Sequence, residues 1–167
     1  VNDMERAIES RCLSLILRQQ PVASDLRQVS TALKVVTDLE RIGDHASDIA
    51  ELILRIKSEH AYHIVKHLPV MAASANAMVH DAIEAFINQD LDSAMEIIER
   101  DDEVDTLFNQ VKDDVIHLLK SSPDQADQGI DLLMVAKYLE RIGDHAVNVC
   151  EWTQFSKTGA LKNVRIM

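Results

Sequence analysis

Aromatic residues make up only 4% of this 167-residue chain, which also holds just four glycines and three prolines. Strands favour aromatic and β-branched side chains, and turn-dense sandwiches and barrels need glycine and proline, so these shortages make an all-α chain the expectation. Basic charge is scarce as well: 17 Lys plus Arg stand against 28 Asp plus Glu, a formal net charge of -11. Such a surface repels polyphosphate backbones and anionic headgroups, so no nucleic-acid partner is expected. No run approaches the roughly 18 apolar residues of a membrane span, and no signal-peptide pattern opens the chain. A soluble, cytoplasmic protein without membrane insertion is the expectation. The two cysteines, Cys12 and Cys150, lie in apolar helical patterns without CxxC spacing, which reads as plain buried thiols rather than zinc or redox chemistry.

What is present is a 47% hydrophobic composition, enough to bury a core, arranged at helical spacing. Met4, Ile8, Leu15 and Ile16 mark a first helix over about 2–19, stopped before Pro21. A second begins near Ser24, a candidate cap, and its stripe runs from Leu26 through Val36, Leu39, Ile42 and Ala46 to Ile56. Charge and histidine interrupt the pattern before His67, and Pro69 suits the first turn of a third helix ending near Asn88. Asp90 is placed to cap a fourth helix from Leu91 to about Lys120, which Ser121-Ser122-Pro123 ends. A fifth is expected from about Asp124 to Phe155, with Gly159 beyond it, and no segment reads as a strand.

The chain repeats itself. Residues 39–46 read Leu-Glu-Arg-Ile-Gly-Asp-His-Ala, and residues 139–146 are the same eight letters. The helices before them match more weakly, with Val1, Met4, Ile8 and Leu15 falling opposite Val104, Leu107, Val111 and Leu118. A duplication follows. The second copy has three helices and the first only two, so two tandem antiparallel three-helix bundles are expected, the first lacking a helix in front of Val1. The expected divisions are 1–58 for the incomplete first repeat, 59–67 for a linker, 68–156 for the second repeat and 157–167 for a tail.

At about 100° per residue, Leu39, Ile42, Ala46 and Ile49 share one face and Glu40, Asp44 and Asp48 stack along another, with Gly43 between them. Like charges one turn apart cost an exposed helix about 0.2–0.5 kcal/mol per pair. A solvated acidic face is the ordinary explanation of a single Glu-x-x-x-Asp. Keeping a core explains Leu, Ile and Ala in both copies, but not why Glu and Asp agree too. The second copy repeats Glu140 and Asp144, and has Asn148 at the third rung. The helix before it offers Asp101 and Asp105, and Asp105 and Glu140 lie almost equally far from the Pro123 turn, hence at similar height in a hairpin. Four carboxylates can then converge. All-oxygen donors suit hard cations such as Mg²⁺, Mn²⁺, Ca²⁺ or Fe³⁺, and bridging carboxylates admit more than one ion. In the first copy Asn2 occupies the place of Asp105.

His45 and His145 point about 100° away from the acids beside them, which favours a capping or interfacial role over metal ligation. His60, His63 and His67 share a rough face in the linker and read as solvated surface. No Glu has a His three residues later, as a ferritin-like oxidase would want. Neither a nucleophile elbow nor a Gly-rich phosphate loop is present, so no enzyme is expected.

Three stretches carry a resemblance: Gln19-Gln20-Pro21-Val22-Ala23-Ser24-Asp25-Leu26-Arg27, the two octets, and Asp101-x-x-x-Asp105. Together they resemble the PhoU family of phosphate-uptake regulators over essentially the whole chain. The resemblance implies two three-helix bundles whose Glu/Asp-x-x-x-Asp motifs bind multinuclear metal clusters, iron in some members. Position by position it falls on Glu40 and Asp44, with Asp48 as an addition, and on Asp101, Asp105, Glu140 and Asp144. The implied cofactors are divalent or trivalent metal ions drawn from iron, manganese, magnesium and zinc. The implied role is repression of the phosphate-starvation response by linking the Pst phosphate transporter, through its ATPase, to a sensor histidine kinase, at the inner face of the membrane. A two-helix first bundle exposes an apolar seam, which makes a homodimer the expected assembly. The alternatives are a structural helical scaffold and a carboxylate-bridged di-metal enzyme.

Overall fold

A computed structural model describes residues 2–56, 63–161 and 164–165 of the chain. Local signals set most of its helix ends. Asp90 is extended, and its Oδ1 accepts the backbone N–H groups of Asp92 at 3.1 Å and Ser93 at 3.2 Å, relieving two of the free donors that open a helix. Just before it, Gln89 turns left-handed at φ 54° and its side-chain amide donates to the Phe86 carbonyl at 2.9 Å, closing the preceding helix. Pro69 lies in that helix's first turn, as its missing N–H allows. Gly159, at φ 74°, ends the last helix with its N–H on the Phe155 carbonyl at 2.8 Å.

The resulting elements are α1 (Asn2–Gln19), α2 (Ala23–Arg55), α3 (Leu68–Asn88), α4 (Leu91–Ser121) and α5 (Ala126–Thr158). Three sequence expectations are corrected. Ser24 does not cap α2: Val22 is the capping residue, without a side-chain bond, because the turn passes through left-handed Gln20 and Ala23 on either side of Pro21 and leaves Ser24 already inside the helix. A 3₁₀ turn over Pro123–Gln125 delays the start of α5. Finally, a two-residue antiparallel ladder pairs Ala160 with Arg165 and Leu161 with Val164, where no strand was expected.

α3, α4 and α5 form a complete antiparallel three-helix unit whose interior includes Met71, Met78, Val104, Val111, Leu118 and Leu132. α2 packs most extensively against α5. Arg55 meets Asp131 at 3.3 Å at one end and the Arg27 Nε–H donates to the Ser156 carbonyl at 3.5 Å near the other, so the two helices run antiparallel along their whole length. Val35 enters the core, and Leu39, Ile42 and Ile49 lie against it. Ala46 does not: it is exposed, whereas its counterpart Ala146 is buried. α1 leans on α2 and buries no residue, leaving Met4, Leu13 and Leu17 exposed. Among the described residues the all-α architecture is the one expected, with α3, α4 and α5 in the second repeat and α1 and α2 in the first.

Cys150 is fully buried, which pushes its thiol up to about 12, while Cys12 is only half-buried, short of the burial expected for it. In the linker, His67 is tied to α4 by Asp114, 2.7 Å from its Nδ1, and is not solvated surface as expected; His63 is exposed and His60 lies outside the described residues. Among the described residues, no helix is long and apolar enough to cross a membrane.

Candidate metal centre

α4 and α5 face each other across the Pro123 turn, and the absence of a side chain at Gly143 lets them approach closely. A Cβ at that position would stand 3.3 Å from Asp101 Oδ1 and 3.6 Å from Val104 Cγ1. Asp101 thus lies over the small residue of the second octet, among the acids expected to join it. Burial first, then repulsion from Asp144, Asp105, Asp102 and Glu140, pushes its carboxyl up to about 6. Asp144 is also raised, by partial desolvation and then by Glu140, although the residue keeps much of its surface in water. The four carboxylates of the second repeat therefore feel one another, Asp101 and Glu140 on the inner side and Asp105 and Asp144 towards solvent.

Sequence reasoning missed one member of this group. Lys137, one turn before Glu140, places its ammonium on Glu140 Oε2 and opposes the rise of the Asp144 carboxyl. Its spacing of three from Glu140 was the available signal. Among the described residues, no three His, Cys, Asp or Glu side chains close on one point as a metal ion would require. The chemistry of the donor set still fits a hard cation: four oxygen-bearing groups from two rigid helices, with Lys137 and the neighbouring His145 offsetting part of their charge.

In the first repeat, Glu40 is 8% exposed, and its carboxyl is raised by burial, then by Asp44 and by Glu5. Glu5, on α1, is the second residue that sequence reasoning missed; it stands one turn beyond Asn2, the position matched to Asp105. Arg41 partly compensates, with Nε 3.6 Å from Glu40 and Nη1 3.6 Å from Asp44. Asp48, a turn further along, lies 3.9 Å from His45 Nδ1.

The two octet histidines meet where α2 crosses α5. His45 stacks on Tyr138 at 5.4 Å and lies 5.6 Å from His145, whose Nδ1 is 2.8 Å from Asp38 Oδ1. Asn148 donates to the same oxygen at 3.1 Å. Burial, then the neighbouring His145, holds the His45 imidazole below its usual range. The interfacial role expected of these histidines is the one they have.

A PhoU domain family model matches residues 1–53 and 68–153. The chain belongs to the PhoU family. A phosphate-specific transport system accessory protein PhoU homolog from Clostridium acetobutylicum is 42% identical over 160 residues, covering 95% of this chain and 73% of that protein. PhoU homolog 1 of Thermotoga maritima is 33% identical, covering 99% and 71%. The crystal structure of PhoU from Pseudomonas aeruginosa superposes with a TM-score of 0.86 at 32% identity, over 95% of this chain and 77% of that one. The phosphate transport system regulatory protein PhoU from Streptococcus pneumoniae gives 0.84 at 31% identity, over 96% and 75%. These PhoU relatives are named as accessory or regulatory proteins rather than as enzymes.

Proposed function

We propose that this PhoU-family chain regulates phosphate uptake, binding metal through its acidic helix faces and repressing the phosphate-starvation response by coupling a Pst-type phosphate transporter ATPase to a sensor histidine kinase. The regulatory part draws on the names of relatives that align over nearly the whole chain. The metal-binding part is carried by one observation: α4 and α5 hold Asp101, Asp105, Glu140 and Asp144 against one another with too little countercharge, so a cation of charge two or more relieves them. Iron, manganese, magnesium and zinc are the candidate ions. In the first repeat, Glu40 and Asp44 with Glu5 offer a smaller set, and Asp48 extends it toward the α2–α5 crossing. Work at the cytoplasmic face of the membrane and a homodimer are parts of the same reading.

Metal content of untagged protein, measured by plasma mass spectrometry, tests the first claim: Glu140→Ala with Asp144→Ala should remove most of the bound metal. Unchanged content defeats it. Pull-down at high and low phosphate tests the second, since a transporter ATPase or a sensor kinase should be retained in a phosphate-dependent way. A metal-free scaffold is the second reading, favoured by the ammonium of Lys137 on Glu140 and by the lack of a three-ligand cluster among the described residues.

A further inference from the structure

Lys137, more than His145, opposes the rise of the Asp144 carboxyl, whereas Asp144, Asp105, Asp102 and Glu140, which raise that of Asp101 after burial, are all acids. The Lys137 ammonium holds Glu140 Oε2 and also lies 5.4 Å from the centroid of the Phe108 ring on α4, so its side chain bridges the helix seam that carries the acids. In the first repeat the countercharge comes instead from Arg41, 3.6 Å from both Glu40 and Asp44. There the matching position is Thr37, whose hydroxyl donates to its own helix at the Leu33 carbonyl, 3.1 Å away.

We propose that Lys137 is a tethered counter-cation of the second acidic site, holding Glu140 while metal is absent and competing with the metal for it. An ammonium on Glu140 Oε2 offsets the charge of that carboxylate and repels a cation approaching it, so metal binds more tightly when Lys137 moves aside. The Phe108 ring, within cation–π range of the ammonium where it already sits, helps to hold it at the seam. Lys137 therefore sets the affinity of the site instead of ligating the metal. This inference rests on the metal-binding reading above.

Calorimetric titration of the chain with MnCl₂ tests it, using the wild type, Lys137→Met, Lys137→Arg and Lys157→Met. Lys157, exposed in the last turn of α5, controls for net charge. Lys137→Met should bind Mn²⁺ about three- to tenfold more tightly, the scale of removing one partly exposed competing ion pair. Lys137→Arg, which keeps a cation there, and Lys157→Met should stay close to wild type. Without metal, in chelator, Lys137→Met should melt roughly 2 °C lower because the acids lose their partner. Equal affinity of Lys137→Met and wild type overturns the proposal while leaving metal binding intact, and an equal gain in Lys157→Met does the same. Failure of all four proteins to bind Mn²⁺ removes both readings.

Discussion

The two octets are identical in sequence, but their surroundings are not. In the second repeat, α3 and α4 cover the apolar face of α5, so Leu139, Ile142 and Ala146 are buried and Gly143 is pressed against Asp101. In the first, α1 covers α2 without burying a residue of its own; Ala46 is exposed, and α2 packs most extensively against α5. The acids differ in consequence. Glu140 has a lysine on its carboxylate and Glu40 has Arg41 at 3.6 Å, yet Glu40 is the one buried charged residue among the described residues. An eight-residue motif fixes which groups share a helix face, while neighbouring helices decide how much water and countercharge those groups receive.

The largest expected difference between the repeats is in packing. Leu118 of α4 is 0% exposed and Leu17 of α1 is 80% exposed. Leu118→Ala should destabilise by about 2–5 kcal/mol, combining lost transfer energy with a cavity. Leu17→Ala should fall within about 0.5 kcal/mol of wild type. Urea denaturation measures both. A Leu17→Ala loss as large as that of Leu118→Ala would break the comparison, because it would require something in solution to cover α1.

The elements legible in the sequence are those with local causes. Pro69, Asp90 and Gly159 act on their own helix ends, and the apolar stripes needed no knowledge of the partner helix. That Asp101 and Asp105 come near enough to Glu140 and Asp144 to repel them, though not onto one point, was legible because a short hairpin converts equal spacing from the Pro123 turn into equal height. Residues whose role depends on sideways direction were not legible. Glu5 acts on Glu40 through the lean of α1, Lys137 reaches Phe108 through the rotation of α5 against α4, and Asp38 finds His145 only because α2 crosses α5. Ser24 was misread as a cap because its hydroxyl chemistry is local but the left-handed backbone at Ala23 cannot be read from composition.

A second and smaller contrast lies in how the repeats start their helices. α4 begins with the Asp90 carboxylate on two backbone donors, and α2 begins at Val22 with no side-chain bond. Asp90→Ala should cost about 1 kcal/mol, within the usual range for losing an acidic cap. Val22→Ser, at a position already extended at φ -126° and ψ 158°, should gain less than about 1 kcal/mol. Chemical denaturation midpoints with an unchanged slope check both; no loss in Asp90→Ala would mean that the start of α4 is held by packing instead.

The smallest effect concerns charge, and its sign is definite. In the folded protein the Asp101 carboxyl is raised to about 6, above its ordinary value of 3.8, so the native state binds this proton more tightly than the unfolded chain does. Burial of the Asp101 charge, and then repulsion from Asp144, Asp105, Asp102 and Glu140, therefore weakens the fold fully above about pH 6, and this is relieved as pH falls from 6 toward 4. Asp101→Asn removes the charge at every pH. In chelator it should be more stable than wild type at pH 7.5, by less than about 1 kcal/mol since Asp105 and Asp144 remain open to water, and the gain should fade near pH 4. Thermal melts across that range measure the difference. A gain independent of pH would show that neither burial nor neighbouring acids raise the Asp101 carboxyl, and would take from the second repeat the strained charge on which its proposed cation site depends.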